Sequence, residues 1–184
     1  DVEEEEFLVI FLGCDGGSTK TEWLLVDHTG QVLAHRIFPG CNFASWGEDG
    51  FRDLMVRSVQ TLLADSGITS QQITSAMLSL TVYGEVPGTE EFFPQVMQSI
   101  LPDCPLQFSN DSVAGWCGSL AGRPGINIVA GTGSVAYGQD SAGNASRVGG
   151  WSLFFADEGS CSWVARQMIT EFVKQADGRH PRSA

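Results

Sequence analysis

Gly13-Cys14-Asp15-Gly16-Gly17-Ser18-Thr19-Lys20-Thr21 is the stretch whose reading decides the fold. It follows an apolar run at residues 7–12 that reads as a buried strand. Adjacent glycines predict a tight turn from Asp15 to Thr19. A second strand is predicted at residues 21–26, a hairpin turn at Asp27-His28-Thr29-Gly30, and a third strand at 31–38. The same order of parts returns later. A strand at 126–130 leads into Gly131-Thr132-Gly133-Ser134, then a strand at 135–137, a turn at Asp140-Ser141-Ala142-Gly143 and a strand at 145–148. Two openings of one design predict an internal duplication.

Between the two openings the pattern alternates. Phe51, Leu54, Met55, Val59, Leu62 and Leu63 recur at helical spacing, and Gly67 suits the stop. Residues 73–80 read as a strand and 90–101 as a helix, with Pro94 tolerable only in its first turn. A short strand at 106–109 and a helix at 111–120 follow. The order β-β-β-α-β-α-β-α predicts an α/β domain with a mixed five-stranded sheet covered by helices. The first domain is placed at residues 1–122 and a second of the same type at 123–184. The second shows one helix, at 161–176, where a domain of this type takes about 100 residues. It is therefore expected to be incomplete, and its uncovered apolar faces to favour a homodimer.

The 184 residues carry 22 Asp and Glu against 10 Lys and Arg, a net charge of −12. So acidic a surface argues against nucleic acid and anionic lipid as partners. No apolar run is long enough to span a bilayer. The five cysteines form no CxxC pair, which suits reduced thiols and a cytoplasmic setting.

The chemistry-bearing residues sit at the turns. Backbone N–H groups of Gly16, Gly17, Ser18 and Thr19 can face one anion, Lys20 adds a positive charge, and Asp15 could hold hydrated Mg²⁺. The spacing is not that of a Walker A loop, and the same residues suit an ordinary hairpin. Gly131-Thr132-Gly133-Ser134-Val135-Ala136 matches a dinucleotide fingerprint but leads into a strand where that fold needs a helix. Asp111, after Asn110 at a strand end, stands where a general base would sit, although both residue types also cap helices. Trp151, after Gly150, could stack on a sugar face and Asp157 could accept sugar hydroxyls; a core tryptophan and a helix-start acid are the plain alternatives. Asn42 could bond a hydroxyl or acetamido group. His28, His35 and His180 form no cluster.

Taken together, Asp15-Gly16-Gly17-Ser18-Thr19-Lys20-Thr21, Asn42, Asn110-Asp111, Gly131-Thr132-Gly133-Ser134, Gly149-Gly150-Trp151 and Asp157-Glu158-Gly159-Ser160 resemble the N-acetylglucosamine kinase group of the BadF/BadG/BcrA/BcrD ATPase family, within the hexokinase–actin–heat-shock chaperone superfamily. The resemblance implies two ribonuclease H-like domains with ATP and Mg²⁺ in the cleft between them. It implies Asp111 as catalytic base, Asp15 at the metal, and phosphate contacts from Gly16–Lys20 and Gly131–Ser134. It implies sugar contacts from Asn42, Asn110, Gly150, Trp151 and Asp157. The function so implied is phosphorylation of an amino sugar such as N-acetylglucosamine or glucosamine, by a protein of which this chain is an N-terminal portion that is inactive alone. Ser18 replaces a customary glycine, Ala156 another, and Thr81-Val82-Tyr83-Gly84 a more glycine-rich loop. Two other readings stand beside it: an ATPase activator of 2-hydroxyacyl-CoA dehydratase or benzoyl-CoA reductase type, and a non-catalytic sugar-binding module.

Overall fold

The computed structural model describes residues 9–41 and 43–182. Contacts group the chain into two compact units, Asp1–Ala114 and Gly115–Ala184.

The first unit is built on a five-stranded sheet. Its strands are β1 (Ile10–Gly16), β2 (Lys20–Asp27), β3 (Val32–Pro39), β4 (Ile73–Leu80) and β5 (Leu106–Ser109), in the order β3-β2-β1-β4-β5. The meander β1-β2-β3 is antiparallel, whereas β4 runs parallel to β1 and β5 parallel to β4. The sheet is mixed, as the order of elements predicts. Alternation decides which side is core. Leu12 and Cys14 stand opposite Leu25 and Trp23 of β2 and beside Ala76 and Leu78 of β4, Ile10 stands beside Ile73, and all are buried. Helix α1 (Phe43–Ser66) and helix α2 (Thr89–Ile100) supply the facing layer, with Phe51 stacked on Phe93 at 4.0 Å between centroids.

Helix α1 starts eight residues ahead of its apolar periodicity. It kinks at Gly47, whose φ of 64° is left-handed, and its first turns carry no repeating apolar stripe. Pro94 lies inside α2 and not in its first turn as predicted. Burial of Phe93, Val96 and Met97 holds the helix across it. Strand β1 also runs further than the sequence pattern suggests. Asp15 and Gly16 are strand residues paired with Glu22 and Thr21, so the turn proper is shorter.

Helix α3 (Asp111–Leu120) begins in the first unit and continues into the second, so the division falls ahead of the break at Gly122. The second unit carries a three-stranded antiparallel sheet of β6 (Gly125–Ala130), β7 (Ser134–Gln139) and β8 (Ala145–Gly149), then helix α4 (Cys161–Ala176). Trp116 of α3 packs edge-on to Tyr137 of β7 at 5.9 Å and donates from its indole N–H to the Gly125 carbonyl. That anchoring explains why the later part of α3 groups with the second sheet. No helix among the described residues is long and apolar enough to cross a membrane.

Candidate functional site

In the first unit, β1, β4 and β5 end side by side, and their carboxyl ends carry most of the predicted site residues. Loops diverge at such an edge, which is where open α/β sheets gather ligands. The Thr81 N–H donates to the Gly16 carbonyl at 2.7 Å, tying the loop after β4 to the end of β1. The Ser79 and Ser109 hydroxyls, 2.6 Å apart, link the ends of β4 and β5.

The turn between β1 and β2 is shaped from outside as well as within. The Gly17 N–H donates to the Lys20 carbonyl at 2.9 Å, and Cys41 N–H donates to the Gly17 carbonyl at 3.0 Å. Gly40 lies so close that a Cβ there would stand 2.1 Å from the Ser18 carbonyl oxygen. This clasp leaves Ser18 and Thr19 exposed at the tip. Gly17 spends its N–H inside the turn, so the tip residues are better placed than Gly17 to meet an anion.

Asp15 lies on the sheet face opposite the core, directly across from Glu22. Desolvation by its surroundings pushes its carboxyl above the ordinary aspartate range; Lys20 opposes that rise and Glu22 adds to it. Its carboxylate is a hard oxygen donor of the kind Mg²⁺ takes, although among the described residues it belongs to no cluster of three metal-ligating side chains. Lys20 is engaged elsewhere. Its ammonium sits 2.5 Å from Glu22 Oε2, while His35 Nε2 lies 2.9 Å from Oε1. The hydrogen bond from Lys20, then that from His35, holds Glu22 below the usual carboxylate range. Glu22 was missed from the sequence, although Lys20-x-Glu22 on a strand puts both on one face.

Asp111 is the first residue of α3, half-buried, and follows Asn110 at the end of β5. Asn110 acts as the helix cap: its Oδ1 accepts from Ser112 N–H at 3.2 Å and from the Ser112 hydroxyl at 2.9 Å. Its amide nitrogen donates to Glu85 at 2.9 Å. Burial pushes the Cys41 thiol up to about 11, and the Asp111 carboxylate adds to the rise. The first unit therefore gathers Asp15, the Ser18–Thr19 tip, Cys41, Glu85, Asn110 and Asp111 at one edge. Asn42 lies outside the described residues.

The second unit gathers the rest. The Gly131 carbonyl accepts from Cys161 N–H at 2.9 Å, and the Ser134 hydroxyl donates to the Glu158 carbonyl at 2.8 Å, so the Gly131–Ser134 turn is tied to the start of α4. Ser160 caps that helix, accepting from Trp163 N–H at 3.1 Å. Gly150 has a left-handed φ of 70° and donates to the Ser134 carbonyl at 2.7 Å. The next residue, Trp151, is 81% exposed.

Asp157 is 5% exposed, sits at a left-handed φ of 59°, and has no partner for Oδ1 among the described residues. Its other oxygen presses on Gly133, where a Cβ would lie 2.7 Å away. Strain and an unsatisfied buried acceptor at one residue are the marks of a ligand site.

Over 186 aligned residues the chain is 27% identical to an N-acetyl-D-glucosamine kinase of Dictyostelium discoideum, covering 95% of this chain and 57% of that protein. It is 24% identical to an N-acetylmuramic acid/N-acetylglucosamine kinase of Clostridium acetobutylicum, covering 91% of this chain and 55% of that one. The chain thus spans just over half the length of these curated relatives. A crystal structure of a candidate N-acetylglucosamine kinase from Chromobacterium violaceum superposes with a TM-score of 0.67 at 22% identity, over 96% of this chain and 61% of that one. That likeness gives the fold: an actin-like, ribonuclease H-like α/β architecture. The model of the BadF/BadG/BcrA/BcrD ATPase family matches residues 12–184, and the chain belongs to that family.

Proposed function

We propose that this chain carries sugar- and phosphate-handling residues of an ATP-dependent kinase that phosphorylates N-acetylglucosamine or a closely related amino sugar. The observation that supports it most is that Asp111, at the start of a capped helix, stands at the carboxyl edge of the parallel strands where Asp15 also lies. Relatives described as N-acetylglucosamine kinases support the substrate class.

In this reading Asp111 accepts the proton of the acceptor hydroxyl as that oxygen attacks the γ-phosphorus of ATP, the bond to the β,γ-bridging oxygen breaks and ADP leaves. The Ser18–Thr19 tip and the Gly131–Ser134 turn hold phosphate oxygens through N–H and hydroxyl groups. Asp15 would hold Mg²⁺, which would neutralise charge on the phosphate oxygens. Lys20 orients Glu22, which keeps a second carboxylate beside Asp15. Trp151 stacks on the sugar ring, the unpartnered Oδ1 of Asp157 accepts a sugar hydroxyl, and Gly150, Asn110 and Asn42 complete the contacts. The five unpaired thiols suit a cytoplasmic enzyme.

The test is ADP release by the whole protein with N-acetylglucosamine, glucosamine and N-acetylmuramic acid, with and without Mg²⁺. Asp111→Asn should lower kcat by at least about 10²-fold while sugar affinity changes little. A kcat within about threefold of wild type would remove Asp111 from the mechanism. Sugar binding with no ADP release in the wild type would leave a binding module instead.

A further inference from the structure

We propose that Glu85 is a positioning residue that fixes the orientation of Asp111 through Asn110, an inference that rests on Asp111 being the base. Asn110 donates its amide N–H to Glu85 Oε1 at 2.9 Å across 25 residues of sequence. The oxygen end of the same amide accepts from the Ser112 backbone N–H at 3.2 Å and its hydroxyl at 2.9 Å. Asp111 is the residue between the two.

The logic lies in donor and acceptor types. A carboxylate only accepts, and a backbone N–H only donates. Were the Asn110 amide to turn over, its oxygen would face Glu85 and its NH₂ would face Ser112 N–H, and both contacts would be lost. Glu85 therefore makes one amide orientation the stable one. That orientation caps α3, and α3 carries Asp111 in its first turn. Without it the first turn is free to fray, and the base moves with it.

The loop that brings Glu85 is held firmly, and at a cost. Val82 has φ of 61°, a left-handed conformation that β-branched residues rarely adopt. Its carbonyl accepts from Glu85 N–H at 3.0 Å and Val86 N–H at 3.1 Å. The buried Thr89 hydroxyl donates to the Val86 carbonyl at 2.7 Å and accepts from Gly84 N–H at 3.2 Å. Tyr83 stacks on Phe108 of β5 at 5.5 Å, two residues ahead of Asn110. Strain kept inside so well-determined a loop points to a task for what it delivers.

The experiment compares Glu85→Ala, Glu85→Gln, Asp111→Asn and the double variant Glu85→Ala/Asp111→Asn in the whole protein. Glu85→Ala should lower kcat about tenfold, with the KM for ATP within about twofold and the protein still folded. Glu85→Gln keeps an acceptor oxygen and should recover most of the rate. On the Asp111→Asn background, Glu85→Ala should cost less than about threefold more, because a residue acting through Asp111 has nothing left to position. Glu85→Ala at wild-type kcat, glutamine no better than alanine, or a full tenfold loss added to Asp111→Asn would each overturn the proposal. If Asp111→Asn itself kept wild-type kcat, the base assignment would fall and the proposal with it. An inactive Asp111→Asn beside an unaffected Glu85→Ala would leave the base standing and remove only the positioning role.

Discussion

Cys41 sits between the two chemistry-bearing ends of the first unit, its thiol donating to the Gly16 carbonyl at 3.0 Å. Because burial raises this thiol from 9.0 to about 11, the folded state keeps a proton that the unfolded chain gives up first. The unfolded state binds fewer protons between those two values, so stability falls as pH rises through that window. The stabilisation is fully present below pH 9 and is lost towards pH 11, at about 1 kcal/mol per pH unit. Cys14, also raised by burial, acts in the same direction. Urea denaturation at pH 8, 9 and 10 should show this decline, and Cys41→Ala should flatten it (pH steps of about one unit suffice). An unchanged slope in Cys41→Ala would assign the decline to other groups. Neither this role nor that of Gly40 was legible in the sequence. Pro39-Gly40-Cys41 reads as a loop, and only the fold shows that Gly40 must lack a side chain to pass the Ser18 carbonyl. The placement of Asp111 at a helix start, by contrast, was legible, because a strand end, an asparagine and a helix start are all local signals.

At the scale of elements, the two glycine-rich turns are alike in sequence and differ in how they are held. The first is clasped by Gly40 and Cys41 after β3, whereas the second is fastened to the start of α4. In the second, Gly133 and Asp157 form the contact that matters. A methyl group at Gly133 would stand 2.7 Å from Asp157 Oδ2 and must push the carboxylate aside. Gly133→Ala should therefore raise the sugar Kd about tenfold, the scale of one displaced hydrogen-bonded group, while α4 keeps its Ser160 cap. Calorimetric titration with N-acetylglucosamine checks it, and an unchanged Kd would take Asp157 out of the sugar site. Elements bounded by local signals match the sequence reading: β4, β5, α3 and α4 begin and end where apolar runs and caps place them. The end of β1 does not, because Asp15-Gly16-Gly17 carries turn chemistry. Its pairing on both sides, with β2 and with β4, keeps it extended. Glu22 and Glu85 escaped notice for the same reason. Each gains its role from a residue that only strand pairing or a long loop brings near.

At the scale of the molecule, the two units are unequally covered. In the first, β1 is flanked by β2 and β4, and its inward residues Ile10 and Leu12 are buried. In the second, β6 pairs with β7 alone among the described residues, and Ile126 and Ile128 are each 72% exposed. Ile126 and Ile128 stand opposite Gly138 and Ala136, and Ala136 opposite Val148, so these side chains share one face of the sheet. Helix α4 adds Met168, Ile169 and Phe172, each more than 60% exposed. Exposed apolar surface of this kind drives association, while a net charge of −12 resists it through mutual repulsion. The balance is set by salt, since raising ionic strength from about 0.05 M to 0.5 M shortens the screening length severalfold and weakens only the repulsion. The 184-residue chain should therefore sediment as a mixture whose larger species grow with both protein and salt concentration. Ile126→Lys with Ile128→Lys should return it to a monomer, because the substitutions interrupt the apolar face and lie far in sequence from the Asp111 edge. A wild-type chain that stays monomeric at high salt would show that these faces are covered within one copy, by an arrangement of α4 against the sheet that removes them from water.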